Sequence, residues 1–548
     1  MEELVKNILR ETFEKKGWQK YLPLLTVEVP SNKEFGDFST SIALIIAKKE
    51  KQNPIDLAIQ LKDLIKVEKR IKRVDVAGPG FVNIFLDEEV YFKEIKNILK
   101  EGLSYGRSEI FKNKKMNVEY VSANPTGPLH IGNSRGGPIG EVLANIFSFL
   151  GAEVCREFYV NDIGGQIDRF GESLYYWFAV KEDDRIVFPE NGYPGEYVKE
   201  LSDTIQKEEK EKIGLINEKE ELVQFFAREG LRRIVHAIKE DVALLGIKFD
   251  KWSYQSEFEN SGKTDEIIKK LENANATTKN EGALWFANPS DPDLKDKESV
   301  LKKSGTGDYT YFADDIAYHA DKFDRGFDHL IDVWGANHHG HIARIKSAMK
   351  ALQYPSEKLD IILYQYVRLK KGGESVKMGK RLGNFVTLRQ VIESGVSPDA
   401  FKYFILSQNP NTPFDFDIQL ASDTTEKNPV FYIKYAHARI CSILEKAGEF
   451  DVSKADFTLL DKVEEQSLYK EIVLFPSLIK EISDDFQLQA LPHFAYKIAS
   501  LFHNFYANCQ VISEDKKLTL SRLCLVQATK HVIASSLNIC GIEAPEKM

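Results

Sequence analysis

The stretch from residue 115 to about residue 160 constrains the fold of this chain most strongly. A β-rich run, NVEYVSAN, is followed by a turn-rich stretch and by a helix with apolar residues at helical spacing, which Gly151 closes. EVCREFYVND is a second strand candidate. Strand, turn, helix and strand in succession predict one βαβ unit of a parallel sheet. HLIDVWGA and LDIILYQYVRL continue the sheet pattern further along the chain.

The segments around this sheet have different patterns. The first hundred or so residues predict a small α+β module, with strand-like runs in YLPLLTVEVPSN and KRVDVAGPGFVNIFLD. Residues from about 185 to 300 are charged and helix-like, and we expect them to be insertions into the sheet domain. After about residue 425 the apolar spacing predicts a helical bundle, as at Phe494, Ile498, Leu501 and Phe505. We expect domains at 1–110, 111–425 and 426–548.

Composition excludes several classes of protein. The chain has 548 residues, which at about 150 residues per domain predicts three or four domains. Its 43% hydrophobic and 29% charged residues exclude a disordered chain and a collagen-like fibre. The five scattered cysteines include no C-x-x-C pair, which favours free thiols in a cytoplasmic protein over a disulfide framework. The charged N-terminus and short apolar runs predict no signal peptide and no membrane span.

The net charge bears on nucleic-acid binding. The chain carries 74 basic and 83 acidic side chains, a formal net charge of −9. This balance argues against a protein that coats nucleic acid through its overall charge. It leaves room for a local basic surface, because binding depends on the field at one face.

The string VEYVSANPTGPLHIGNSRG, residues 118–136, lies between the first strand of the βαβ unit and its helix. In an open parallel sheet this turn faces the crevice where nucleotides bind. Gly127 and Gly132 would allow a close backbone approach, and the helix N-terminus would offer N–H groups to phosphate. His130 and Asn133 are three residues apart, so both could point at one phosphate. For a bare H-x-G, a plain turn with an incidental histidine would be the better interpretation.

The whole string resembles the "HIGH" signature of class I aminoacyl-tRNA synthetases, in the E-Y-x-S-A-N-P-T-G-P-L-H form of arginyl-tRNA synthetases. The resemblance covers essentially the whole chain. It implies a multidomain α/β protein: a Rossmann-like catalytic domain, an N-terminal tRNA-contacting domain and an all-α anticodon-binding domain. Asn133 replaces the last histidine of the signature; it can donate a hydrogen bond but carries no charge. The signature residues are Ala123, Asn124, Pro125, Thr126, Gly127, Pro128, Leu129, His130, Ile131, Gly132 and Asn133.

A second string, VKMGKRLGN, resembles the "KMSKS" loop of the same class. Lys377, Met378 and Lys380 match that loop, and Gly379 replaces its serine. The resemblance implies that the two lysines, with His130 and Asn133, are catalytic, neutralising phosphate charge as pyrophosphate leaves. Taken alone, such a basic run is more often a solvated loop. Its position at the far end of the sheet domain favours the catalytic interpretation.

A third string, VWGANHHGH, contains three histidines. No acidic or thiol ligand stands at a suitable spacing beside them, so we predict no metal site there. The string resembles the W-G-x-D/N element that lines the adenosine pocket of class I synthetases. The resemblance therefore implies ATP contacts from Gly335 and Asn337, together with Gly132 and Met378.

Recognition of arginine needs carboxylates, because a guanidinium is always charged and presents five donors in a planar fork. The resemblance implies that Glu119 and Asp315 hold it, with Tyr311 on the helix face of Asp315. Ser122 and Asn124 would hold the amino and carboxylate groups of the substrate. Without the resemblance, Asp315 and its neighbour would be solvated acids and Glu119 a strand-edge charge.

The resemblance implies an arginine–tRNA ligase that activates L-arginine with ATP and transfers it to the terminal adenosine 2′-hydroxyl of tRNA(Arg). We expect Mg²⁺ to arrive with ATP, no structural metal, and a monomer. Tyr435, Arg439 and Tyr506 are candidates for tRNA contact by stacking on unpaired bases, although tyrosines at helical spacing are more often core. Asn133 and Gly379 also fit a non-catalytic tRNA-binding paralogue. A small-molecule nucleotidyltransferase shares the H-x-G-H turn but does not need the bundle. The bases read and a tRNA requirement for activation stay open.

Overall fold

The computed structural model describes residues 1–30, 32–65, 68–288, 291, 294, 299–371, 374–376 and 386–548. Over these residues the chain forms a small N-terminal α+β module, a parallel sheet covered by helices, and a C-terminal helical bundle. This architecture confirms the predicted fold class. Among the described helices, none combines the length and apolar character that crossing a bilayer requires.

The N-terminal module contains a three-stranded antiparallel sheet. The middle strand of this sheet is the third of its strands in sequence order, and the first and second strands pair with it on either side. In the run YLPLLTVEVPSN the first four residues belong to a 3-10 helix, Gln19–Leu24, and the expected strand is reduced to an isolated antiparallel bridge between Glu28 and Ser39. Prolines at 23 and 30 lack the N–H that a strand ladder needs, which explains the difference. The elements are α1 (Glu2–Lys16), β1 (Phe38–Thr40), α2 (Ile42–Glu50), α3 (Pro54–Ile65), β2 (Ile71–Ala77), β3 (Phe81–Leu86) and α4 (Glu88–Glu101).

The central domain is built on five parallel strands. Its elements are β4 (Lys115–Glu119), α5 (Ile131–Ser134), α6 (Gly136–Phe149), β5 (Glu153–Val160), α7 (Gly165–Ala179), α8 (Glu196–Glu208), α9 (Lys210–Ile213), α10 (Lys219–Leu244), β6 (Lys251–Tyr254), α11 (Gln255–Asn260), α12 (Lys263–Asn273), β7 (Thr277–Asn280), β8 (Ala283–Phe286), β9 (Ser299–Lys302), α13 (Tyr311–Asp324), β10 (His329–Gly335), α14 (Ile342–Ala351) and β11 (Leu359–Tyr364). The strand order is β11-β10-β4-β5-β6. β4, α6 and β5 form the predicted βαβ unit.

The range 185–300 differs from the expectation of a helix-rich insertion. It supplies β6, which pairs with β5 at the edge of the parallel sheet. It also supplies β7, β8 and β9, which form a separate antiparallel sheet. These strands are four residues each. Runs that short give too few alternations to stand out from charged helical sequence.

The chain continues through a smaller sheet before the bundle. The run LDIILYQYVRL is divided between two sheets, since its second half pairs with new partners. These elements are β12 (Val367–Lys371), β13 (Glu374–Val376), α15 (Leu388–Glu393), α16 (Pro398–Leu406), β14 (Phe414–Asp417) and α17 (Ile418–Ala421).

The C-terminal bundle packs along the apolar faces that its sequence predicted. On α21, Phe494, Ile498 and Phe505 are buried and Leu501 is half-buried. The bundle helices are α18 (Pro429–Ala447), α19 (Val463–Ile472), α20 (Phe475–Asp485), α21 (Ala490–Asn508) and α22 (Lys516–Ile539).

Candidate active site

A cavity of about 380 Å³ opens at the carboxyl ends of β4, β5 and β10. This is the edge of an open parallel sheet where ligands bind. The strands and helix α13 bring together candidate site residues, such as Glu119 and Asp315, that are about 200 residues apart in the chain. The sequence-predicted residues that line the cavity are Glu119, Ser122, Ala123, Asn124, Asn133, Tyr311, Asp315, Gly335 and Asn337.

The backbone that follows β4 is strained. Val121 and Ser122 have φ values of 67° and 36°, in the left-handed region that a β-branched residue such as valine rarely adopts. The Ser122 hydroxyl donates to Glu119 Oε1 at 2.8 Å and accepts the Tyr159 N–H at 3.0 Å. These two bonds orient Glu119 and leave the Ser122 hydroxyl one further acceptor position.

Glu119 is a buried carboxylate at the end of a central strand, so the interpretation as a strand-edge charge is wrong. It is 4% exposed and accepts a hydrogen bond from Lys322 Nζ at 2.6 Å. Lys322 also donates to Asp332 at 2.8 Å. Burial raises the pKa of Glu119, and the Lys322 ammonium opposes that shift. Burial alone would raise the pKa of Asp332, but Lys322 and His319 lower it to about 2.

Helix α13 supplies the opposite wall. Tyr311 and Asp315 share one helix face, as predicted, and both line the cavity. The Tyr311 side chain is 64% exposed, and its ring stacks on His341 with 5.8 Å between centroids. His341 Nε2 lies 2.8 Å from Asp315 Oδ2. Asp314 differs: it is buried and accepts bonds from two side chains of neighbouring helices, so it is not a solvated acid.

The signature turn caps a short helix. His130 is the N-cap of α5, and its Nδ1 accepts the Asn133 backbone N–H at 3.2 Å. Because Nδ1 accepts this bond, a neutral His130 carries its proton on Nε2. Asn133 lines the cavity, whereas the residues from Pro125 to Gly132 are not among its lining residues. Leu129 and Ile131 are core residues.

The two signature glycines make room for side chains of this chain. A Cβ on Gly127 would lie 3.0 Å from the Tyr197 hydroxyl, which donates to the Thr126 carbonyl at 2.7 Å. A Cβ on Gly132 would lie 3.0 Å from the His130 ring. The Tyr197 hydroxyl and the His130 ring therefore lie where a Cβ at Gly127 or Gly132 would make a tight contact.

The segment that follows the second string lies beside the signature turn. Lys377, Met378 and Lys380 lie outside the described residues. The segment that follows them pairs with the signature turn, because Ile131 N–H donates to Val386 O at 3.1 Å and Leu388 N–H donates to Leu129 O at 2.8 Å. The chain that leaves the string therefore starts next to His130.

Gly335 and Asn337 lie where β10 ends and a 3-10 helix, Ala336–His341, begins. Both line the cavity, as do His338 and His341. Within the described part of the chain, three potential metal ligands converge at Glu119, His319 and Asp332. Lys322 Nζ bonds two of them, so an ammonium already supplies the positive charge at that position.

Comparisons with known proteins identify the family. The model of the arginyl-tRNA synthetase N-terminal domain matches residues 1–86, that of the class I (R) tRNA synthetase catalytic domain 94–411, and that of the DALR anticodon binding domain 433–548. The arginine–tRNA ligase of Carboxydothermus hydrogenoformans is 38% identical over 95% of this chain and 94% of its own. The chain belongs to the arginyl-tRNA synthetase family. The ligase of Moorella thermoacetica is 39% identical, over 96% of this chain and 94% of its own.

Solved structures agree on the fold. The arginyl-tRNA synthetase of Thermus thermophilus superposes with a TM-score of 0.79 at 22% identity, covering 100% of both chains. The reaction of the arginyl-tRNA synthetase family is ATP-dependent activation of arginine and its transfer to tRNA, so the chain is a class I ligase. The match therefore supports the ligase over the two alternatives, a non-catalytic paralogue and a small-molecule nucleotidyltransferase.

The three residues expected to contact tRNA in this synthetase lie together on the bundle. Arg439 Nη2 donates to the Tyr435 hydroxyl at 2.6 Å, and its guanidinium lies 4.6 Å from the Tyr435 ring and 5.0 Å from the Tyr506 ring. Tyr506 is 42% exposed and Tyr435 is half-buried. The alternative that both tyrosines are core residues is therefore wrong.

Sequence reasoning missed the charged residues behind the cavity of this synthetase. Two signals could have found them. Tyr311, Asp315, His319 and Lys322 follow at helical spacings of four, four and three, which indicates one face of α13. Asp332 interrupts the apolar strand HLIDV, and a buried strand carboxylate needs a partner.

Proposed function

We propose that arginine activation takes place in the cavity between β4 and α13. The observation that carries this assignment is that Glu119 and Asp315 line one cavity together with Asn133 and Asn337. Two carboxylates on facing walls suit a planar, five-donor guanidinium. Tyr311 at the mouth would pack on that group, and the free lone pair of Ser122 and the amide of Asn124 would bind the amino-acid end.

In the proposed reaction the arginine carboxylate attacks the α-phosphate of ATP, and pyrophosphate leaves. His130, Asn133, Lys377 and Lys380 would stabilise charge on the transferring phosphate, and Met378 would contact ATP. The terminal 2′-hydroxyl of tRNA(Arg) then attacks the arginyl carbonyl, and AMP leaves. Gly335 and Asn337 support an adenosine site at the end of β10. When Mg²⁺ is bound, phosphate oxygens and water would hold most of its coordination sphere.

We propose that residues 1–110 contact tRNA, that 111–425 form the catalytic unit and that 426–548 bind the anticodon. The surface of Tyr435, Arg439 and Tyr506 supports the last assignment, since rings and a guanidinium stack on unpaired bases. The protein is proposed to act as a monomer in the cytoplasm.

Asp315→Asn tests the arginine assignment. The amide keeps the shape but removes one charge-assisted partner, so kcat/KM for arginine should fall about ten- to a hundred-fold. Aminoacylation at saturating ATP and tRNA measures this loss, and the KM for ATP should stay within about twofold. Citrulline, which lacks the charge, should be discriminated less strongly by the variant.

The matched control is Asp314→Asn, one residue away on α13. Asp314 is not among the lining residues, so this variant should keep the parental KM for arginine. Normal arginine kinetics in a folded Asp315→Asn protein would place the guanidinium elsewhere and remove the physical support for the assignment.

A further inference from the structure

Three carboxylates lie side by side across the central sheet. In the parallel register Asp332 pairs with Glu119, and Glu119 pairs with Glu157. Adjacent strands are about 4.8 Å apart, so three like charges at one level would repel strongly in a buried place. Two cations offset this charge. Lys322 of α13 bonds Asp332 and Glu119, and Arg325, the C-cap of α13, bonds both oxygens of Glu157 at 3.0 and 2.9 Å.

His319 extends this arrangement toward the second cavity wall. Its Nδ1 lies 2.7 Å from the backbone carbonyl of Asp315, and its Nε2 lies 2.7 Å from Asp332 Oδ2. A carbonyl and a carboxylate can only accept, so both ring nitrogens are donors and the imidazole is charged. The negative charge of Asp332 also raises the pKa of His319, against the effect of burial.

Glu119, Lys322, Asp332 and His319 therefore form a buried chain of alternating charge, each member no more than 4% exposed. One end of this charge chain is Glu119, and the other end holds the backbone of Asp315. The charge chain is neutral by itself, so an incoming cation meets the net negative charge of Asp315.

The acceptor count on Glu119 leaves room for that cation. A carboxylate offers about four acceptor positions. Ser122 and Lys322 occupy one on each oxygen, which leaves about two for substrate N–H groups. Both existing bonds come from donors, and they favour the ionised, accepting form of Glu119 against the effect of burial.

We propose that Lys322 is a positioning residue for arginine: it holds Glu119 ionised and turned toward the cavity without touching the substrate. This inference rests on the proposed function, because it acts through Glu119. A charge chain that only stabilised the fold would not need to end at the Glu119 carboxylate, which lines the cavity, and at the backbone of Asp315.

A double-mutant cycle tests the inference. Lys322→Met and Glu119→Gln should each raise the KM for arginine about tenfold or more, with the KM for ATP within about twofold. If Lys322 acts through Glu119, the double variant should bind arginine no worse than Glu119→Gln alone. Independent, multiplying losses would overturn the inference.

Arg325→Met is the matched control, since it removes the cation that caps the C-terminus of α13 from a buried carboxylate that does not line the cavity. It should lower the melting temperature and leave the KM for arginine unchanged. Lys322→Met combined with Asp332→Asn is a second variant, which removes the orphaned charge if the single variant folds poorly. It should still raise the KM for arginine.

The outcomes separate two failures. A parental arginine KM in folded Lys322→Met, beside a weakened Glu119→Gln, overturns only the inference about Lys322. A parental arginine KM in Glu119→Gln overturns the assignment of Glu119 in the proposed function and the role of Lys322 with it.

Discussion

Asp314 and Asp315 are adjacent on α13, yet their carboxylates have different surroundings. The Asp315 side chain is 24% exposed and faces the cavity, where His341 is its imidazole partner. Asp314 is 1% exposed and accepts from Gln255 Nε2 at 2.7 Å and Thr264 Oγ1 at 2.9 Å. Both partners are neutral. Burial therefore dominates and raises the pKa of Asp314 to about 6.

This pKa makes stability depend on pH in a defined direction. The folded protein binds the Asp314 proton more tightly than the unfolded chain, so the free energy of unfolding falls as pH rises from about 4 to about 7. Asp314→Asn lacks this dependence. Relative to the parent, the variant should gain about 2 kcal/mol between pH 4 and pH 7. Denaturant unfolding of both proteins at the two pH values measures the difference; a difference independent of pH would contradict the assignment.

At the scale of elements, one buried arginine joins the signature turn to the segments that follow β11 and α16. Arg135 is 0% exposed and donates to the backbone carbonyls of Gln365, Asn409 and Thr412 at 2.7, 3.0 and 2.9 Å. Its guanidinium lies 5.0 Å from the Phe414 ring. Burial without a carboxylate partner lowers the pKa of Arg135 to about 10.

Arg135→Lys should destabilise the protein by about 2 kcal/mol, because an ammonium cannot reproduce the planar fork that spans three carbonyls. Urea unfolding measures the loss. Arg368→Lys is the control, since Arg368 is 54% exposed and its ion-pair partner Asp415 is partly exposed. It should change stability by less than about 1 kcal/mol. Equal effects of the two substitutions would show that Arg135 does not fasten the turn.

The sequence predicted the elements with strong periodicity and missed those that depend on long-range contact. The βαβ unit and α21 carry their pattern within one window of the chain. β6 is four residues long, and only its pairing with β5 makes it a strand. At the site, Glu119 and Asp315 followed from the family resemblance. The helical spacing places Lys322 on the face of Asp315, but its two partners are 203 and 10 residues away, so no local pattern predicts that it bonds Glu119 and Asp332.

At the scale of the whole molecule, the bundle shares its core with the other two domains. Phe149 of the catalytic unit contacts Phe475 of the bundle at 6.0 Å between centroids, and Phe92 of the N-terminal module stacks on Phe457 at 6.0 Å. Lys470 forms an ion pair with Asp37 at 2.7 Å. Deleting residues from about 430 onward would expose these faces, so loss of tRNA charging in a truncated protein could reflect unfolding. Point changes on the bundle surface separate binding from folding.

Arg439→Gln is such a change. The guanidinium lies between the rings of Tyr435 and Tyr506, and all three are accessible on one face of the bundle. If this surface binds the anticodon loop, the variant should raise the KM for tRNA about tenfold, while kcat and the KM for arginine stay near the parental values. The slope of tRNA affinity against salt concentration should also decrease, because one cation is lost from the RNA contact. Lys454→Ala removes a 76% exposed cation elsewhere on the bundle and should change neither quantity. An unchanged KM for tRNA in Arg439→Gln, or an equal increase in Lys454→Ala, would mean that tRNA binds another face.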